Sequence, residues 1–156
     1  MNILDEIVVN TKAKVNIAKE KVSLDDLAST IHSNKIIKSK FKASLKDKDQ
    51  AIIAEIKKAS PSAGVISENF DPVTKAKEYE AFGASALSIL TEEDYFLGST
   101  QYLKDVKKIS KLPILRKDFI VDIYQIYESK LIGSDCILLI ASILSDEELN
   151  DFTQLA

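Results

Sequence analysis

The hydrophobic pattern changes character near residue 50. Before it, Ile3, Leu4, Ile7 and Val8, then Val15 and Ala18, recur at helical spacing, and no stretch makes a convincing strand. Ser23 followed by Asp26 resembles a helix cap, with Leu27 and Ile31 on the apolar face behind it. Residues 1–45 predict a helical extension, and Lys46 to Gln50 an exposed turn leading into the first strand.

From Ala51 the pattern becomes a short apolar run, a polar break and a helix, four times over. Ala51 to Ala54 predicts a buried strand that breaks at Ser60-Pro61-Ser62-Ala63-Gly64. Asp71-Pro72 opens a helix, since proline is tolerated in a first turn, and Gly83 stops it. Ala86 to Leu90 is the second strand, and Ser99 caps a helix carrying Leu103, Val106 and Ile109. Pro113 to Arg116 is the third strand, followed by a helix from Asp122 to Ile132 that Gly133 closes. Cys136 to Ile140 is the fourth strand, and Ser145 with Glu148 forms a capping box for a helix reaching at least Leu155. Alternation with short connections predicts a parallel sheet covered by helices. Four such units make half of a (β/α)8 barrel or most of a small doubly wound sheet. No glycine-rich dinucleotide fingerprint comes after the first strand, which disfavours the latter.

Two strand ends carry chemistry. Side chains alternate along a strand, so Glu55 and Lys57 point to one face at the end of the first. Taken alone, the two are accounted for equally well by an ion pair closing a strand and by a functional group. Arg116, Lys117 and Asp118 end the third strand in the same manner, and in parallel α/β folds the carboxyl ends of the strands are where sites are built.

Composition narrows the field. At 156 residues, 46% hydrophobic and 29% charged, the chain suffices for one domain with a real core. A net charge of -3 gives no case for nucleic-acid binding, and the lysine-rich stretch Lys35 to Lys48 lacks an aromatic ladder, so it predicts a solvated linker or helix face. The lone Cys136 lies in an apolar run as a small hydrophobe and fits a reducing cytoplasm. With His32 the only histidine, histidine-clustered metal sites are excluded. The amphipathic N-terminus is unlike a secretory signal, and no apolar run approaches the ~20 residues a membrane span needs.

Several segments in order then become specific. Ile52 to Ser62, Phe70-Asp71-Pro72, Leu87 to Glu92 with Tyr95 to Ser99, Pro113 to Ile120, Asp122 to Tyr127, and Leu138 to Ile140 with Ile143 to Asp146 resemble indole-3-glycerol phosphate synthase, a lyase of tryptophan biosynthesis. The resemblance implies a (β/α)8 TIM barrel preceded by a helical extension: 1–45 would be the extension and 46–156 the first half of the barrel. It implies ring closure of a phosphosugar, 1-(2-carboxyphenylamino)-1-deoxyribulose 5-phosphate, with loss of carbon dioxide and water and with no cofactor or metal. Lys117 would be the general acid, Lys57 would hold the anthranilate carboxylate and assist dehydration, and Glu55 would orient both lysines. Ser60 would contact the substrate phosphate and Phe96 would line the slot for the aromatic ring. Taken alone, Ser60 is an ordinary turn residue and Phe96 an ordinary core contact.

Ala63 and Asp94 stand where that family often has lysine, which removes positive charge near the site mouth. A carboxylate base on the fifth strand, an Asn-Arg-Asp cluster after the sixth and the phosphate loops after the seventh and eighth have no counterpart in this sequence. Two readings remain: an N-terminal fragment or truncated product of the lyase, or a half-barrel module that associates through exposed strand edges without catalysis. Another phosphosugar barrel, an isomerase, is disfavoured by Glu55 with Lys57 and by Arg116 to Phe119.

Overall fold

A computed structural model describes residues 2–33, 39–46 and 49–156. Two helices, α1 (Ile3–Lys21) and α2 (Leu24–Ser33), come first along the chain. Asn2 and Asp5 close a capping box on α1, and the Ser23 hydroxyl accepts the Asp26 amide at 3.1 Å, as the sequence predicts. A short α3 (Phe41–Lys46) comes next, with Lys40, Lys42 and Lys46 exposed. The rest of the lysine-rich stretch, Lys35, Lys38 and Lys48, and the middle of the Lys46 to Gln50 turn lie outside the described residues.

The strands are β1 (Ile53–Ile56), a two-residue pair β2 (Ala59–Ser60) and β3 (Gly64–Val65), then β4 (Ala86–Leu90), β5 (Ile114–Lys117) and β6 (Cys136–Ile137). Between them run α4 (Pro72–Ala81), α5 (Thr100–Ile109), α6 (Ile123–Leu131) and, after a single 3-10 turn at Ala141–Ile143, α7 (Asp146–Leu155). The main sheet has the order β1-β4-β5-β6, and both β1–β4 and β4–β5 are parallel, as the alternation requires. Helix ends fall where the caps predict. Asp71 accepts the Val73 and Thr74 amides, Ser99 accepts that of Gln101, and Gly83 and Gly133 take the positive φ of helix stops.

Three expectations need correction. The first strand lies two residues later than Ala51 to Ala54, and its start is not buried: Ile52 is 59% and Ile53 44% exposed. An apolar run is buried only as far as its two faces are covered, and β1 lies at the edge of the sheet, paired with β4 alone among the described residues. The Ser60 to Gly64 break is a hairpin, not a loop, with Ala59 opposite Val65, Ser60 opposite Gly64, and Gly64 at φ 65°. The fourth strand ends at Ile137, short of Ile140; Ile137 and Leu139 pack on apolar side chains of α6 and α7.

The chain divides into two compact units. One comprises Met1–Ile37, Phe119–Leu131 and Ile137–Ala156; its core gathers Ile120, Ile126 and Phe152. Within it Lys19 of α1 pairs with Asp122 at 2.6 Å, and the Tyr124 hydroxyl donates to the Ala18 carbonyl. The other unit comprises Lys38–Asp118 and Ile132–Cys136. Its core packs Ile56, Leu87, Ile89 and Ile114 from the sheet against Ala76 of α4 and Leu103 and Val106 of α5. Burying side chains of this size contributes about 1.5–3 kcal/mol each before entropy is subtracted. The Ile114 amide leaves the strand ladder to donate to Asp135 at 2.9 Å, and Lys107 of α5 pairs with the same carboxylate.

Candidate active site

All five candidate residues, Glu55, Lys57, Ser60, Phe96 and Lys117, belong to the second unit. Strand alternation sends Ile56, Leu87, Ile89 and Ile114 into the helix-covered core, so their neighbours point to the opposite face. The register sets Glu55 opposite Ser88 and Ser88 opposite Leu115, with Lys117 one step further along β5 and opposite Leu90. Glu55 is thus inside β1, and Lys57 directly follows its end.

The geometry joins three of the five. Lys57 Nζ lies 2.6 Å from one oxygen of the Glu55 carboxylate, and Lys117 Nζ lies 3.8 Å from the other. All three side chains are partly exposed. Ion pairs this open are worth about 0–1 kcal/mol, too little for fold stability to be their main effect. Chemically, one carboxylate holds two ammonium groups side by side, each able to donate to an oxygen developing negative charge.

Ser60 and Phe96 sit at the same ends of their strands but outside these ion pairs. Ser60 is in the hairpin after β1, where its hydroxyl accepts the Ala63 amide at 3.2 Å. Phe96 is half-buried in the loop after β4. Arg116 and Asp118 do not join Lys117. They turn to the other side of β5 and pair at 3.1 Å, 4% and 9% exposed, with the Thr91 hydroxyl bonded to both. Breaking so buried a pair by removing one partner costs about 3–5 kcal/mol, which makes this cluster a brace for the strand end that presents Lys117.

Sequence reasoning missed two residues. The Ser88 hydroxyl is buried on the Glu55 face and has no hydrogen-bond partner among the described residues. Glu92 is buried and accepts three backbone amides of its own loop. Both lie in the Leu87 to Glu92 segment, but nothing in that segment says that Ser88 would stand in the row with Glu55 or that Glu92 would turn back on main-chain amides. No group of His, Cys, Asp and Glu among the described residues could hold a metal ion. Nor is any helix among them long and apolar enough to cross a membrane.

Comparison with known proteins agrees with the order of the motifs. The family model described as indole-3-glycerol phosphate synthase matches residues 4–156. A protein of that name from Ruminiclostridium cellulolyticum is 49% identical over 99% of this chain, and one from Clostridium acetobutylicum is 52% identical over 93%. Another from Aliarcobacter butzleri is 46% identical over 99% of the chain. The chain spans 60%, 55% and 60% of the lengths of these three relatives. It therefore belongs to the indole-3-glycerol phosphate synthase family of (β/α)8 barrels, of which it carries the helical extension and the first four βα units.

Proposed function

We propose that this chain is the N-terminal part of an enzyme that closes the indole ring of 1-(2-carboxyphenylamino)-1-deoxyribulose 5-phosphate. Residues 1–45 are the helical extension in this reading and 46–156 the first half of the barrel. The observation that carries it is the carboxylate of Glu55 set between Lys57 and Lys117, at 2.6 and 3.8 Å.

In the proposed reaction a ring carbon of the anilino group attacks the ribulose carbonyl carbon, and Lys117 delivers a proton to the carbonyl oxygen. An ammonium suits this step because it supplies the proton and its charge stabilises the forming alkoxide. Lys57 holds the anthranilate carboxylate until it leaves as carbon dioxide, then assists loss of the new hydroxyl as water. Glu55 keeps both amines aimed at one point, the kind of preorganisation that holds reacting groups near attack geometry. The Ser60 hydroxyl meets the phosphate, and Phe96 packs on the aromatic ring. No cofactor takes part. The remaining groups, a carboxylate base and the principal phosphate loops, would come from a C-terminal half.

The exposed Ile53 at the start of β1, with the exposed Ile52 just before it, supports a partner at that edge. An apolar strand edge with one open side is a template for pairing. We assign that side to a complementary half-barrel, and self-association of this chain is what the edge permits when the half is absent. A single cysteine, Cys136, is in keeping with work in the reducing cytoplasm.

The test is an indole-fluorescence assay on the chain alone and mixed with a separately expressed C-terminal half of a relative. Negligible turnover alone and turnover in the mixture is the expected result. A mixture that forms a stable complex yet makes no indole would overturn the enzymatic reading and leave an association module.

A further inference from the structure

Glu92, two residues past the end of β4, is 5% exposed. A carboxylate taken from water needs compensation, and this one finds it in the main chain. One oxygen accepts the Asp94 amide at 3.0 Å; the other accepts those of Tyr95 at 2.7 Å and Phe96 at 3.0 Å. Successive amides turned toward one point make an anion cradle, which this loop fills with its own side chain.

The rest of the loop is built around that closure. The Gly98 amide donates to the Glu92 carbonyl at 2.7 Å, and the Ser99 amide to the Leu90 carbonyl at 3.3 Å. Leu97 takes a left-handed φ of 51° to make the return. A side chain at Gly98 would put a Cβ 2.5 Å from the Leu90 oxygen and 2.7 Å from that of Glu92. The chain thus leaves β4, circles a buried carboxylate and comes back to its starting point before Ser99 caps α5.

We propose that Glu92 is a positioning residue: by binding the amides of Asp94, Tyr95 and Phe96 it fixes where the Phe96 ring stands, and with it the aromatic part of the substrate. The inference rests on the assignment of Phe96 to the aromatic slot made above. A glutamine at this position has the same length but one acceptor oxygen, and its amide group would turn donors toward donors. An aspartate keeps the charge but is one methylene short of the amides.

Amide hydrogen exchange followed by NMR on the 156-residue chain tests the closure directly. In the unsubstituted chain the three amides should exchange about 10- to 100-fold more slowly than an open loop, the range expected of bonds to a charged acceptor. Glu92→Gln should remove that protection while the amides of β4 and β5 keep theirs. Open-loop rates in the unsubstituted chain, or unchanged rates in the variant, would overturn the proposal; the first result needs no variant to fold.

The consequence for the substrate is read in the chain joined with its C-terminal half. Glu92→Gln and Phe96→Ala should both raise KM about 10-fold or more, with kcat changed much less, as for lost ground-state binding. Should Phe96→Ala raise KM and Glu92→Gln not, the positioning role is wrong. If Phe96→Ala leaves KM unchanged while the amides respond as expected, the slot assignment fails and the closure stands.

Discussion

Glu55 and Lys117 stand 3.8 Å apart although their strands are not neighbours: β4 runs between β1 and β5, and Ser88 fills the intervening place in the row. Two long side chains reach over a small one. The carboxylate is already bonded to Lys57 at 2.6 Å, so one group of β1 holds an amine from its own strand end and another from β5.

In the completed enzyme, Lys117→Ala is expected to cut kcat by at least about 100-fold with little change in KM, since its proton matters in the transition state. Glu55→Gln keeps the shape but loses the charge that aims both amines, and its kcat should also fall. Neither change should move the melting temperature much, because these pairs are partly exposed. Steady-state kinetics beside thermal unfolding separates the two effects. A Lys117→Ala enzyme with near-normal kcat would take the acid role from that residue.

Asp135→Ala should act the opposite way. Its carboxylate receives the Ile114 amide and the Lys107 ammonium, so its loss strands a buried donor and frees the start of β5. A cost of about 1–3 kcal/mol is expected, visible in urea unfolding as a lower midpoint with unchanged slope.

Ser88→Ala should leave stability unchanged or raise it by about 1 kcal/mol, since the hydroxyl is buried with no partner among the described residues and the methyl group of alanine carries no such penalty. A marked loss of stability on urea unfolding would show that the hydroxyl is satisfied in solution.

Two helix caps should weaken in acid. The Ser145 amide and hydroxyl beside Glu148 hold its carboxyl below the ordinary value of 4.5, and the Thr74 hydroxyl with the Val73 and Thr74 amides holds Asp71 below 3.8. Both groups are therefore ionised more readily folded than unfolded. Their stabilisation is present above those ordinary values and is lost as the pH falls through the lower folded ones. Chemical shifts of the Glu148 and Thr74 amides should follow that titration, and Glu148→Gln should abolish it at α7 while leaving α4 unaffected.

The βα alternation was legible because β4 is apolar at every position but Ser88 and because Asp71, Ser99 and Ser145 announce their helices. The start of β1 was not, since Ile52 and Ile53 are as apolar as buried strand residues and composition does not show that they open an edge strand, paired with β4 alone among the described residues. The β2–β3 hairpin escaped because two-residue strands leave no periodicity to find. In the site, the same-face placement of Glu55 and Lys57 follows from alternation. The identical rule separates Arg116 and Asp118 from Lys117, although all three charges stand together in the chain. Glu92 was hidden for a different reason: its partners are amides, and every residue but proline has one.

That alternation in β5 makes its length, more than its composition, the fragile quantity. Deleting or inserting a single residue between Pro113 and Arg116 would exchange the two sides of the strand. The guanidinium and the Asp118 carboxylate would both swing to the Glu55 side, and the lysine would enter the closed place beside Thr91 without its carboxylate partner. A frame slip of one position would thus disable the chemistry and unsettle the core together, whereas the hairpin at Ser60 to Gly64, turned outward, has room to grow or shrink.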